Sequence, residues 1–298
     1  MKVWIEAFRL RTLPLSFSCI LMGAFLAIRQ GMYDGSILVL CLLTTLFLQI
    51  LSNLANDYGD SVHGADSVTR QGPSRAVQSG KISLHSMKKA VIIVALLALV
   101  SGGSLLLLVF GLKQLLLLSV FFLIGLGAIW AAIKYTAGDN PYGYAGLGDI
   151  SVFLFFGLVG VLGTNYLFVQ SLHLMNVFPA ISCGLLATGV LNVNNIRDIE
   201  SDLVAGKKSI PVRIGRSNAR IYHWFILIVA MVSMLVFIAL NYQKPTDLLF
   251  VLAFPLFFKN GIAITKNYEA KALDPYLKQL ALGTLLFVLL FGLGLCWL

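Results

Sequence analysis

The sequence predicts an all-α membrane protein with nine transmembrane helices around a central cavity opening to the cytoplasmic side. Three observations predict it. Of 298 residues, 58% are hydrophobic and 12% charged, where a soluble domain carries about 25% charged residues. Apolar runs able to cross about 30 Å of hydrocarbon, roughly 20 residues each, recur nine times. The bases segregate: 19 of 22 Lys and Arg fall on one side of the resulting alternation, leaving only Arg29, Lys113 and Lys244 on the other.

In order, the first span, 12–29, follows Lys2, Arg9 and Arg11. It lacks a small-residue cleavage site and reads as a span, not a signal peptide. The second, 37–56, leads into a long loop with Arg70, Arg75, Lys81, Lys88 and Lys89, after which 90–110 is the third. Lys113 and Lys134 bracket the fourth, 114–133, and a Gly-rich stretch leads to the fifth, 147–169. The sixth, 175–193, opens a second long loop holding Arg197, Lys207, Lys208, Arg213, Arg216 and Arg220. The seventh, 221–241, is followed by 246–265, where Pro255 and Lys259 interrupt the pattern, and by the ninth, 279–298. An excess of bases on one face marks it as cytoplasmic, with the N-terminus inside. The net charge of +9 is thereby topological, so no nucleic-acid partner is expected. The chain reads as one domain, 1–298, whose two long loops, 57–89 and 194–220, are cytoplasmic. Loops of that length are usually functional.

Cys19, Cys41, Cys183 and Cys296 lie singly in apolar spans, and the four His show no zinc spacing. Packing, not a disulfide framework or a zinc site, accounts for them. The acids are more informative. Six of 13 lie in two short stretches: Asp57, Asp60 and Asp66, and Asp198, Glu200 and Asp202. Each stretch sits at the cytoplasmic end of a long apolar helix. Asn53, Asp57 and Asp60 share one helix face, and Asn194, Asp198 and Asp202 another. At an offset of 138 residues Asn56 falls on Asn194 and Asp60 on Asp198, which suggests two similar faces across one cavity.

Carboxylates and amides are hard oxygen ligands suited to Mg²⁺, which is typically held by one or two carboxylates plus substrate phosphates. A diphosphate bridged by Mg²⁺ would balance two acidic faces, and Arg70, Arg75, Arg197, Lys207 and Lys208 could neutralise it as it leaves. Helix capping is the plain alternative for a single acid, and topology alone suffices for the bases.

At these stretches the chain resembles the UbiA-type superfamily of intramembrane aromatic prenyltransferases, whose two Asp-rich motifs have the forms N-D-x-x-D-x-x-x-D and D-x-x-x-D. Asn56, Asp57 and Asp60 match the first motif and Asp198 and Asp202 the second. The third acid of the first motif falls on Gly64, with Asp66 nearest. The runs starting at Arg11, Leu51, Pro141 and Leu191 (R-T-L-P-L-S, L-S-N-L-A-N-D-Y-G-D, P-Y-G-Y-A-G-L-G-D and L-N-V-N-N-I-R-D) are similar to the 1,4-dihydroxy-2-naphthoate polyprenyltransferase branch.

The resemblance implies transfer of a polyprenyl chain from polyprenyl diphosphate to 1,4-dihydroxy-2-naphthoate, with loss of CO₂ and diphosphate, giving demethylmenaquinone. It implies Mg²⁺ held by Asn56, Asp57, Asp60, Asn195, Asp198 and Asp202, and a catalytic role for the four acids of that set. Arg197 and Lys207 would assist the diphosphate, Arg11, Arg70 or Arg75 would orient the naphthoate carboxylate, and Asn53 would line the substrate site. Tyr135 and Tyr144 could stabilise an allylic cation through their rings, or belong to an interfacial aromatic belt. The Gly-rich loop from Tyr135 to Asp149 could close over the ring or simply connect two spans. The bacterial cytoplasmic (inner) membrane is the expected location, with the site facing the cytoplasm. Two rivals remain: an acceptor such as 4-hydroxybenzoate, and a secondary transporter, although carriers place their acids nearer the midplane. No motif specifies an oligomeric state.

Overall fold

The computed structural model describes residues 2–63, 75–267 and 269–296. Arg70 and Asp66 lie outside the described residues. Among the described residues all regular structure is helical. Nine segments are long and apolar enough to cross a membrane: Lys2–Arg29, Gly35–Val62, Leu84–Phe110, Leu115–Lys134, Gly148–Val169, Leu174–Arg197, Ile210–Asn241, Pro245–Lys266 and Ala270–Leu295. They follow the expected spans in number and order. The chain forms two compact units, Met1–Leu13 with Asp34–Gly148 and Glu200–Ser209, and Pro14–Tyr33 with Asp149–Ile199 and Ile210–Leu298.

In the first unit, Leu51, Leu54 and Ala55 of the second span pack with Met87, Val91 and Val94 of the third, and Ile129, Ala132 and Ile133 of the fourth join them. Asp34 caps the second span by accepting from the Ser36 and Ile37 amides, and Ser83 caps the third by accepting from Ser86. These side chains satisfy amides that a helix start otherwise leaves unpaired. Arg9, at φ 50°, breaks the first span between Lys2–Phe8 and the turn Leu10–Thr12. The second span continues to Val62, beyond the expected end near 56. The first acidic stretch therefore rides on a helix for its first two acids. The outer face of the fourth span is apolar, with Leu116 78% and Leu123 65% exposed. Water would disfavour such a patch, whereas lipid accepts it, because a helix satisfies its own backbone.

In the second unit, Phe250, Phe257, Phe287 and Phe291 are fully buried with Met22, Leu186 and Met234. The Phe250 and Phe287 rings meet edge to face at 5.5 Å, an arrangement favoured by the aromatic quadrupole. The fifth span winds as α-helix, then as a wider π-type helix over Phe153–Gly163, then as α-helix again. Pro255 does not break the eighth span. A 3₁₀ segment, Pro245–Ala253, precedes the α-helix Phe254–Lys266, and Pro255 lies in that helix's first turn, where a missing N–H costs nothing. A buried polar chain ties four spans together. His223 Nε2 lies 2.9 Å from Asn260 Oδ1, Asn192 Nδ2 lies 3.4 Å from His223 Nδ1, and Asn260 Nδ2 donates to Gln279 Oε1. Side-chain hydrogen bonds of this kind hold helices together where lipid is as apolar as the core. Cys19, Cys41 and Cys183 are buried free thiols.

Candidate active site

The last turns of the second span build a polar cluster inside the first unit. Asn53, Asp57 and Asp60 are buried on the expected shared face, and Asn56 is half-buried. Their partners differ. Asn53 Nδ2 donates to Phe8 O at 2.9 Å and to Thr12 Oγ1 at 3.2 Å, which fastens the N-terminal segment to the helix. Asn56 Oδ1 accepts from Thr136 Oγ1 at 3.1 Å, and its backbone oxygen accepts from Arg75 Nη1. Asp57 Oδ2 accepts the Ala76 amide at 3.1 Å. Asp57 Oδ1 is buried with no hydrogen-bond partner among the described residues.

Asp60 is the hub. Its Oδ2 lies 2.5 Å from Arg75 Nη1, and its Oδ1 lies 3.1 Å from Lys207 Nζ and accepts the Tyr144 hydroxyl at 2.7 Å. Lys207 Nζ also stands 3.7 Å from Asp202 Oδ1 and 4.7 Å from the centre of the Tyr144 ring. Backbone bonds fix this arrangement, with Lys207 N donating to Asp202 O and Lys208 N to Tyr144 O, each at 2.8 Å. Two acids, two bases and a phenol thus share one small volume, drawn from the second span, the loop after it, the loop after the fourth span, and the short helix Ile199–Val204 with the turn that follows.

The Gly-rich loop is folded back on itself. Gly143 N donates to Tyr135 O and Tyr144 N to Pro141 O, both at 3.0 Å. A Cβ on Gly143 would sit 2.5 Å from Tyr135 O, so the turn tolerates only glycine. Tyr144 is thereby aimed at Asp60. Tyr135 packs edge-on against Tyr142, with 5.5 Å between centroids.

The second acidic stretch departs from the single helix face expected for Asn194, Asp198 and Asp202. The sixth span ends at Arg197, Asp198 is its C-cap at φ −97° and ψ 10°, and a separate helix begins at Ile199. Asp198 belongs to the second unit and Asp202 to the first. In the second unit Arg197 grips Asp198 with two bonds, from Nε at 2.8 Å and Nη2 at 2.6 Å, and also donates to Asn194 Oδ1 and Asp274 Oδ1. Asn195 is buried. Asp60 and Asp198, matched in the sequence, therefore each carry a buried arginine, supplied from different sequence distances. Arg11 is exposed at the end of the Leu10–Thr12 turn.

Thr136, Asp274 and Tyr222 were not singled out from sequence. Tyr222 donates to Asp149 Oδ2 at 3.0 Å within the second unit. No local pattern marks any of the three, because each is defined by a partner at least 73 residues away. Among the described residues no group of three or more His, Cys, Asp or Glu side chains is gathered to hold a metal ion.

The model of the UbiA prenyltransferase family matches residues 16–283. A 1,4-dihydroxy-2-naphthoate octaprenyltransferase of Haemophilus influenzae is 45% identical over 99% of this chain and 96% of its own length. The enzyme of the same name from Escherichia coli is 44% identical over 99% of this chain and 95% of its own. The structure of a UbiA homolog from Archaeoglobus fulgidus bound to GPP and Mg²⁺ superposes with a TM-score of 0.63 at 18% identity, covering 98% of this chain and 100% of that one.

Proposed function

This chain belongs to the UbiA prenyltransferase family, and on that premise we propose that it transfers a polyprenyl chain from polyprenyl diphosphate to 1,4-dihydroxy-2-naphthoate, releasing diphosphate and CO₂ on the route to demethylmenaquinone. The observation that carries this reading is the 45% identity, end to end, with a relative of that name. The relatives favour neither a 4-hydroxybenzoate acceptor nor transport. The base asymmetry supports a multi-pass protein of the bacterial cytoplasmic (inner) membrane, its N-terminus and site facing the cytoplasm.

Mg²⁺ is the proposed cofactor. The donor chemistry of each motif suits it: hard oxygens from Asn56, Asp57, Asp60 and Asp202 in the first unit and from Asn195 and Asp198 in the second, with Asp57 Oδ1 buried and unpartnered among the described residues. Few carboxylates close together is the expected pattern where substrate phosphates complete the shell. When bound, the ion supplies Lewis-acid neutralisation of the departing diphosphate.

The chain's own residues do the rest. Arg75 and Lys207 are balanced by the carboxylates of Asp60 and Asp202. They can turn charge-assisted bonds toward diphosphate oxygens. The Tyr144 ring already faces an ammonium, so its π-face suits an allylic cation left when the C–O bond breaks. The ring carbon bearing the naphthoate carboxylate then bonds to the prenyl carbon. Loss of CO₂ returns the C–C electron pair to the ring and restores aromaticity, leaving the quinol.

The test is CO₂ release from carboxyl-labelled naphthoate by purified protein with Mg²⁺ and a polyprenyl diphosphate. One CO₂ per prenylated product is expected. Prenylation of 4-hydroxybenzoate with no CO₂ from the naphthoate would overturn the assignment.

A further inference from the structure

The eighth span carries a feature that the carboxylate clusters do not use. A groove of about 700 Å³ is lined by Pro255, Phe258, Lys259, Ile262, Lys266 and Tyr276, among others. The first five stand at i, i+3, i+4, i+7 and i+11 of the helix Phe254–Lys266 and so form one stripe. Phe258 and Ile262 are nearly half exposed, and Trp224 of the seventh span flanks Phe258 at 6.2 Å between rings. Lys259 and Lys266 are exposed, and neither has an ion pair among the described residues.

The two lysines are seven positions apart, about 10 Å along the helix axis. Lys266 closes the span, but Lys259 lies well inside it. An ammonium at bilayer depth is costly, and its stem relieves this by reaching toward a polar group. We propose that the groove binds an anionic phospholipid of the surrounding bilayer, with the headgroup phosphate between Lys259 and Lys266 and an acyl chain along Phe258 and Ile262. Charge complementarity carries the choice of occupant. Two lysines with no counter-ion among the described residues border an apolar trough of the size that ligands occupy, and basic pockets between membrane helices suit anionic headgroups. Trp224 and Tyr276 are the aromatic types found at headgroup level.

The test is native mass spectrometry of the purified full chain in detergent, titrated with dioleoylphosphatidylglycerol or dioleoylphosphatidylcholine. Wild type should retain the anionic lipid preferentially. Lys259→Gln with Lys266→Gln should weaken that binding about 30-fold, the sum of two basic contacts at a lipid surface. Replacing both by Arg should preserve it, as should Lys244→Gln. Equal retention of the two lipids, undiminished binding in the double Gln variant, or an equal loss in Lys244→Gln would overturn the proposal. So would displacement of the lipid by inorganic phosphate alone. A changed oligomeric state with unchanged lipid content would assign the groove to a second copy instead and overturn it equally.

Discussion

Arg75 and Asp60 form an ion pair at 2.5 Å with side chains only 8% and 2% exposed, joining the loop after the second span to its last turn. Taking both charges out of water is costly, and the pair persists because other groups share the carboxylate: Lys207 at 3.1 Å and the Tyr144 hydroxyl at 2.7 Å.

Breaking the pair from one side should destabilise the protein. Removing one partner of a buried pair costs about 3–5 kcal/mol, and Arg75→Gln should fall near the lower end because Lys207 still faces Asp60. Combining it with Asp60→Asn leaves no uncompensated carboxylate and should restore much of the lost thermal stability in detergent. Prenyl transfer should stay abolished in the double variant. Recovery of turnover together with stability would make the pair purely structural.

Tyr144 makes two separable contributions. Phe at 144 loses the bond to Asp60, worth about 1 kcal/mol, but keeps the ring beneath Lys207. Leu loses both, and a desolvated cation–π contact is worth about 2 kcal/mol, roughly thirtyfold in rate. Steady-state kinetics should therefore rank wild type above Phe and Phe well above Leu, chiefly in kcat. Equal rates for Phe and Leu would remove the ring from the chemistry.

Metal removal should silence the enzyme. Excess EDTA is expected to abolish transfer, and added Mg²⁺ to restore it. Asp57→Asn should raise the Mg²⁺ needed for half-maximal activity about tenfold, the scale on which metal-site groups act. It should also weaken any rise in unfolding temperature that Mg²⁺ with inorganic pyrophosphate confers. Full activity in EDTA would refute metal assistance.

Gly59 lets the loop after the fourth span approach the second span. A Cβ there would lie 2.5 Å from the Thr136 carbonyl carbon and oxygen, both backbone atoms that cannot rotate away. Gly59→Ala should cost about 1–3 kcal/mol by overpacking and displace Thr136 from Asn56. An unfolding temperature equal to wild type would show that the loop yields freely.

The two acidic stretches were legible because scarce acids stand out against apolar helices. Their partners were not. Asn53 read as a substrate residue, yet its amide serves Phe8 and Thr12. Arg75 read as one of several interchangeable bases, yet it closes on Asp60 at 2.5 Å beside Lys207 at 3.1 Å. Asp274 carries no sequence signal of a role, yet it shares Arg197 with Asp198.

By itself the sequence determined the helical class, the nine candidate spans and their order. Hydropathy and charge bias are properties of a chain read locally against a slab of fixed thickness. Only the tertiary structure decided that the second span carries Asp57 and Asp60 on an unbroken helix, while the sixth stops at Arg197, with Asp198 as its C-cap and Asp202 on a separate helix. It also decided which arginine, lysine and tyrosine meet which acid. Those choices turn on distances between side chains up to 147 positions apart, as for Asp60 and Lys207, and no local pattern of residue types encodes such a distance.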